Sequence, residues 1–217
     1  MLLLAFDTAT AAVTVALHDG TRVIAEEFSP AARSHGELLA AAVGRVLSRA
    51  GATPGDLAAV AVGTGPGPYT GLRAGVVTAK VMGSALGIGV HGVCTLDVLA
   101  RAAARELPGR EFLVATDARR KEVYWARYGP GAVRLAGPGV ASPADLVVTC
   151  PVAGEGPVLY PELLGEPSPP RYPAAGDLAQ IVSERISRGD PPGPAEPIYL
   201  RKPDARPPGK PKRVTPS

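Results

Sequence analysis

Segments in the order strand, strand, strand, helix, strand, helix, followed by the same order in abbreviated form, confine this chain to a duplicated α/β architecture. Residues 2–6 are a continuous apolar run, and Val13, Val15 and Leu17 alternate with smaller or polar residues after a turn at 8–11. Asp19-Gly20 is a hairpin signal, and 22–28 supplies a third strand. Ser34 opens a helix with Glu37 three residues later, the capping-box spacing, and Gly51 closes it. A strand at 57–62, a helix at 70–86 capped by Thr70, a strand at 88–93 and a helix at 95–106 follow. Pro108-Gly109 then breaks the pattern. Beyond it, strands are expected at 112–116, 122–128 and 132–135, a helical turn at 143–146 and a strand at 147–153. A turn-rich stretch at 155–173, a helix at 174–188 and a short strand at 198–200 finish the second series. The pattern predicts two lobes, residues 1–108 and a smaller 109–200, each with a mixed sheet, facing one another across a cleft.

Residues 201–217 differ in kind from the rest. Six cations (Arg201, Lys202, Arg206, Lys210, Lys212 and Arg213) stand against Asp204 alone, so this tail carries +5 of a chain whose net charge is +3. The remainder is therefore −2, without an obvious nucleic-acid stripe. A proline-rich basic segment buries too little apolar surface to order itself and is read as solvated, although it can attract RNA phosphates non-specifically. The apolar opening MLLLAF is short, lacks a basic leader and runs into Asp7, so it reads as a buried strand and the expected location is cytoplasmic. Cys94 and Cys150 sit in no C-x-x-C or His-rich cluster, which leaves no framework for zinc or disulfides.

The turn at 63–73, GTGPGPYTGLR, packs four glycines and two prolines between a strand and a helix. Such a rigid strand-to-helix connection is where α/β proteins often place ligands or partners. It fits neither common phosphate loop: no lysine follows the glycines, and a G-x-G-x-x-G series begun at Gly65 fails at Thr70. The helix after it repeats Gly71, Gly75, Ala79, Gly83 and Gly87 every four residues. Several helical glycines, each about 1 kcal/mol worse than alanine, call for close packing, either on the protein's own sheet and neighbouring helix or against a partner backbone. The preceding helix has its own apolar stripe at Leu38, Leu39, Ala42, Val43, Val46 and Leu47. Together the two helices are expected to form half of a four-helix interface centred on Leu38, Leu39, Ala42, Val43, Val46, Arg73, Val77 and Val81, with Ser34, His35, Ala74 and Thr78 beside them.

The segments LLAFDTATAAVTVAL, SHGELL, GPGPYTGLRAG, VATDARRKEVYWARY and PIYLRKP together resemble the TsaB (YeaZ) family across nearly the whole chain. Pro68-Tyr69 departs from the Ser-Phe usual in that turn, which bears on its rigidity. The resemblance implies the two-lobe actin, Hsp70 and sugar-kinase (ASKHA, ribonuclease H-like) fold. It also implies a non-catalytic partner of TsaD in making N6-threonylcarbamoyladenosine (t6A) at position 37 of tRNA. It implies docking on TsaD through the first two helices, recruitment of the ATPase TsaE, and self-association of the same surface when TsaD is absent. ATP and metal are then expected on the partner subunits, with no cofactor on this chain.

The residues themselves favour the same division of labour. Asp7, Thr8 and Thr10 occupy the stretch where an actin-like fold meets phosphate and metal, yet Asp and Thr there also commonly bond the turn's own amides, which is the preferred expectation. In the second lobe Asp117 is followed by Ala118 and Arg119, where glycine or a hydroxyl would be wanted, and no glycine-pair loop for adenosine is expected late in the chain. His18, His35 and His91 are scattered. His35 is followed four residues on by Leu39, so SHGELL resembles the TsaD helix that carries a histidine pair, without its metal-binding ability. Neither cysteine has a triad partner and there is no G-x-S-x-G elbow. Arg119 and Arg120, at a strand-to-strand turn, are candidate contacts for tRNA or the ATPase. Tyr124 and Trp125 beyond them point to opposite faces and cannot form one stacking platform. The competing expectations are an actin-like small-molecule kinase or peptidase-like enzyme with a degenerate site, and a free-standing RNA binder using the tail.

Overall fold

The computed structural model describes residues 1–30, 35–190 and 193–201. The first sheet is built from β1 (Leu2–Asp7), β2 (Ala12–His18), β3 (Val23–Pro30), β4 (Leu57–Gly63) and β5 (Gly89–Val93), with α1 (His35–Arg49) and α2 (Tyr69–Leu86) in the crossovers and α3 (Thr95–Glu106) after it. The second sheet contains β6 (Phe112–Asp117), β7 (Val123–Gly129), β8 (Val133–Ala141), β9 (Val152–Ala153) and β10 (Pro167–Ser168). Two one-turn helices, α4 (Gly156–Leu159) and α5 (Pro161–Leu164), precede β10, and α6 (Ala175–Arg188) follows it.

The strand orders are β3-β2-β1-β4-β5 and β8-β7-β6-β9-β10. In each, the first three strands are antiparallel and the last two are added parallel. The second sheet is thus the first repeated strand for strand, and the duplicated unit is that of the actin-like, ribonuclease H-like fold.

Alternation along the strands decides how the layers stack. Leu4, Phe6, Val13, Val15, Leu17, Val60 and Val62 share one buried cluster with Leu39, Ala42 and Val46 of α1 and Leu72, Val76 and Ala79 of α2. Leu3, Ala5, Ala59 and Ala61 turn the other way and pack on Leu178, Ala179 and Val182 of α6. Leu96, Leu99, Ala100 and Ala103 of α3 instead join Phe112, Val114, Ala126 and Tyr128 of the second sheet. Each lobe's last helix therefore covers the sheet of the other, so the lobes are tied by their cores as well as by the chain.

Several local expectations change. Thr70 does not cap α2, whose first residue is Tyr69 with Pro68 at the cap position. The strand expected at 147–153 is reduced to Val152–Ala153, because Pro151 has no N–H to give a ladder, although its carbonyl accepts from Leu113 at 2.9 Å. The stretch at 198–200 is not a strand; Ile198 N–H donates to the Thr64 carbonyl at 2.8 Å, and Gly193 bridges Gly92. Of the tail, only Arg201 is among the described residues; it donates to the Ala118 carbonyl at 2.9 Å and pairs with Glu122. Cys94 and Cys150 are both free thiols.

Candidate docking face and the filled cleft

The glycine-proline turn after β4 is shaped by what it touches. A Cβ on Gly63 would stand 1.8 Å from the Asp7 carboxylate, and one on Gly67 would stand 2.1 Å from the Ala9 carbonyl. Gly65 has φ of +81°, which β-carbon-bearing residues rarely adopt. The turn is thereby pressed onto the β1–β2 turn, and two of the three candidate phosphate-loop residues, Asp7 and Thr8, are spent on that contact. Asp7 Oδ1 accepts the Ala9 N–H at 2.7 Å, and Oδ2 accepts the Thr95 hydroxyl at 2.6 Å. Thr95 Oγ1 in turn accepts the Gly65 N–H at 3.1 Å. The Thr8 hydroxyl donates to the Gly71 carbonyl at 2.7 Å. Burial pushes the Asp7 carboxyl above its ordinary range, and the bonds from Thr95 and Ala9 offset only part of this. Thr10 is buried, its hydroxyl without a hydrogen-bond partner among the described residues. From the other lobe, the Tyr124 hydroxyl comes to 3.5 Å from the Gly67 carbonyl.

The second lobe does contain a glycine pair, contrary to expectation. Gly154-Glu155-Gly156-Pro157 follows β9 as Gly63-Thr64-Gly65-Pro66 follows β4. Cβ atoms at Gly154 and Gly156 would meet the Ala115 carbonyl at 2.2 Å and the Ala115 methyl at 2.6 Å, so this turn also lies against its own sheet. The buried Glu155 fills it with a carboxylate that accepts from Arg171 at 2.9 Å and from the Tyr172 hydroxyl at 2.6 Å. Cys94 offers no nucleophile: burial, then the Asp97 carboxylate, push its thiol up to about 12. Among the described residues no three His, Cys, Asp or Glu side chains are grouped to hold a metal ion.

The outer face of α1 and α2 presents the opposite chemistry. Both helices cover one side of the first sheet, so their backs share a single exposed layer. Val77 and Val81 are 53% and 61% exposed there, next to exposed Arg73 and half-buried Ala74 and Thr78. Leu39, Ala42 and Val46, expected in the interface, are fully buried in the protein's own core and cannot touch a partner. Leu38 and Val43 are half-buried against that core. His35 binds inward, its Nε2 3.0 Å from the Thr10 carbonyl and its ring beside Gly71. Ser34 lies outside the described residues. The α2 glycine stripe is internal as well: Cβ atoms at Gly71, Gly75 and Gly83 would strike Thr8, Thr8 and Val90.

The outward face of α1 is instead Gly36, Ala40, Ala41 and Gly44, all exposed, with nothing within 4 Å of a Cβ at either glycine. Sequence reasoning passed over these residues by assigning the apolar stripe to a partner. The signal was present, since Gly36, Ala40 and Gly44 recur every four residues where a solvated helix face carries long polar side chains. The exposed rim of Tyr69, Arg73 and Tyr199 was also missed in part. The Arg73 guanidinium lies 4.8 Å from the Tyr69 ring centroid, and the two tyrosine rings are 5.3 Å apart. Tyrosine and arginine are enriched at interface anchors.

Arg119 and Arg120 are exposed at the β6–β7 turn, with φ of 60° and 55°, and Lys121 follows at 62°. Glu122 N–H closes the turn onto the Arg119 carbonyl at 3.0 Å, and the Arg119 side chain pairs with Asp117 at 3.1 Å. Tyr124 is buried and Trp125 half-buried on opposite faces of β7.

The comparisons with known proteins agree on one relationship. The family model described as "TsaD: tRNA N6-adenosine threonylcarbamoyltransferase" matches residues 28–160. A Mycobacterium tuberculosis protein described as uncharacterized is 44% identical over 209 residues, covering 94% of this chain and 93% of its own. The Escherichia coli tRNA threonylcarbamoyladenosine biosynthesis protein TsaB is 39% identical over 129 residues, 59% of this chain and 55% of that protein. The solved structure of YeaZ from Pseudomonas aeruginosa superposes with a TM-score of 0.78 at 31% identity, covering 92% of this chain and 99% of that chain. With the duplicated fold, the strand-to-helix turn and these relatives in agreement, the chain belongs to the TsaB/YeaZ family.

Proposed function

We propose that this protein is a non-catalytic subunit required for threonylcarbamoyl transfer to adenosine 37 of tRNA. It binds TsaD through the outer face of α1 and α2 and helps to recruit TsaE. ATP and metal are held by those partners, the assembly works in the cytoplasm, and the same face pairs two copies of the chain when TsaD is absent. The observation that carries this reading is a contrast within one molecule. Asp7 and Thr8 in the cleft are hydrogen-bonded within the protein, to the Ala9 N–H, the Thr95 hydroxyl and the Gly71 carbonyl, whereas Val77 and Val81 are exposed on a helix face flanked by residues small enough for another helix to approach. The naming of E. coli TsaB as a t6A biosynthesis protein supplies the pathway.

Val77→Glu with Val81→Glu tests it. Each valine buried at an interface is worth about 1.5–3 kcal/mol, and an unpaired charge there costs several more, so capture of TsaD falls by about a thousandfold or beyond. Both positions face solvent in the single chain, so the melting temperature of the monomer, read at a concentration where the wild-type chain does not self-associate, stays within about 2 °C of wild type. Unchanged TsaD capture and t6A formation by the double variant would refute the docking face. Stoichiometric binding of ATP and Mg²⁺ by the isolated chain would favour the kinase-like alternative.

A further inference from the structure

Away from the docking face, a cavity of about 530 Å³ opens between α3, α6 and the β7–β8 turn, and four of its lining residues are arginines. Three are already held. Arg101 forks onto Glu184 at 3.1 and 2.6 Å, and Arg105 onto Asp177 at 2.6 and 2.9 Å. Arg134 donates to Asp97, which also accepts the Tyr128 hydroxyl at 2.7 Å. The fourth, Arg185, lies one helical turn beyond Ile181 on the same face of α6, and its guanidinium has no ion-pair or hydrogen-bond partner among the described residues. It also lines an adjoining cavity of about 400 Å³ that shares Asp97 and Arg134, so it stands where the two spaces meet.

A partly enclosed guanidinium without an acceptor loses hydration and gains nothing in return, and a planar donor fork fits a carboxylate or phosphate group. The Nε of Arg101 is a second buried donor without a hydrogen bond, its only acid being the Asp177 carboxylate 3.8 Å away. The acids at the larger cavity do not fill this need, because Asp97, Asp177 and Glu184 are each occupied by another arginine. Glu196, on the wall of the smaller cavity, disfavours an anion seated there and leaves the larger one as its place. Ala104, Ala132 and Ile181 give that cavity short apolar walls, and its volume suits a ligand of mononucleotide size. We infer that the space between α3, α6 and the β7–β8 turn binds a small organic anion. Its phosphate-ester or carboxylate group docks on Arg185, and its body lies on Ala104, Ala132 and Ile181.

The test is calorimetric titration of the full chain, at low salt, with AMP, citrate and inorganic phosphate as separate probes. Saturable binding of AMP or citrate is expected, and whichever binds tells a phosphate ester from a polycarboxylate. Inorganic phosphate, lacking a body, binds more weakly. Arg185→Ala weakens the organic probe by about tenfold or more, Arg185→Lys by less, and Arg188→Ala, outside the lining, leaves it unchanged. Ala104→Phe, which occupies the space without removing a charge, blocks the same probe and serves if Arg185→Ala folds poorly. Absence of saturable binding for all three probes at millimolar concentration overturns the inference, as does an affinity that neither Arg185→Ala nor Ala104→Phe alters.

Discussion

Replacing Gly44 and Gly75 with alanine, one at a time, should move stability in opposite directions although both lie inside helices. A helical glycine is about 1 kcal/mol worse than alanine. At Gly44 nothing within the chain lies within 4 Å of the added methyl, so the monomeric chain realises most of that gain and melts roughly 2–4 °C higher. At Gly75 the new Cβ would sit 2.4 Å from Thr8 Oγ1, and that hydroxyl is pinned by its bond to the Gly71 carbonyl at 2.7 Å. Moving Thr8 breaks a buried hydrogen bond worth about 1–3 kcal/mol, and overpacking adds a further cost of roughly 1–3 kcal/mol. After the propensity gain, a net loss of about 2 kcal/mol or more remains, lowering the melting temperature by roughly 4–8 °C. Thermal denaturation followed by circular dichroism reads both shifts, and TsaD capture is measured on the same samples. A neutral or stabilising Gly75→Ala that nevertheless loses TsaD would place the glycine stripe in the interface and refute the assignment of α2's inner face.

Asp7→Asn should preserve t6A formation and relieve a pH-dependent penalty. Burial raises the folded carboxyl above its unfolded value near 3.9, so this group's contribution is fully present below that value and is lost as pH rises through the folded one. The stability of Asp7→Asn relative to wild type therefore climbs between pH 4 and pH 7; a flat difference in melting temperature across that window, or loss of activity, would point to a working carboxylate. Tyr128→Phe removes the hydroxyl that donates to Asp97 at 2.7 Å from a fully buried ring. A loss of roughly 1.5–3 kcal/mol is expected by urea denaturation, and an effect under about 0.5 kcal/mol would show that Arg134 alone satisfies Asp97.

The duplication was legible because apolar alternation and turn residues report the strand series directly, and both halves close into the same strand order. The assignment of helix faces was harder for a physical reason: periodicity tells which side of a helix is apolar and is silent on what covers it. Leu39, Ala42 and Val46 were read as a docking stripe, yet Leu4, Phe6, Val13, Val15, Val60 and Val62 on one side of the first sheet need a cover of their own. Had each sheet face been matched to a helix stripe, α1 and α2 would have been committed to the core and their backs left as the only faces for a partner. The same matching explains the α2 glycines, which let the helix approach Thr8 and Val90 while Leu72 and Val76 fill the core between them. Demand from the second sheet is met from the other lobe by α3, a pairing no local pattern encodes. The filled cleft was legible only in part, for the identities of Asp7 and Thr8 suit a phosphate turn and a self-bonded turn equally. What separates the two is distance: at 2.6 Å from Thr95, a residue 88 positions away, the Asp7 carboxylate is claimed by a contact that only the folded chain creates.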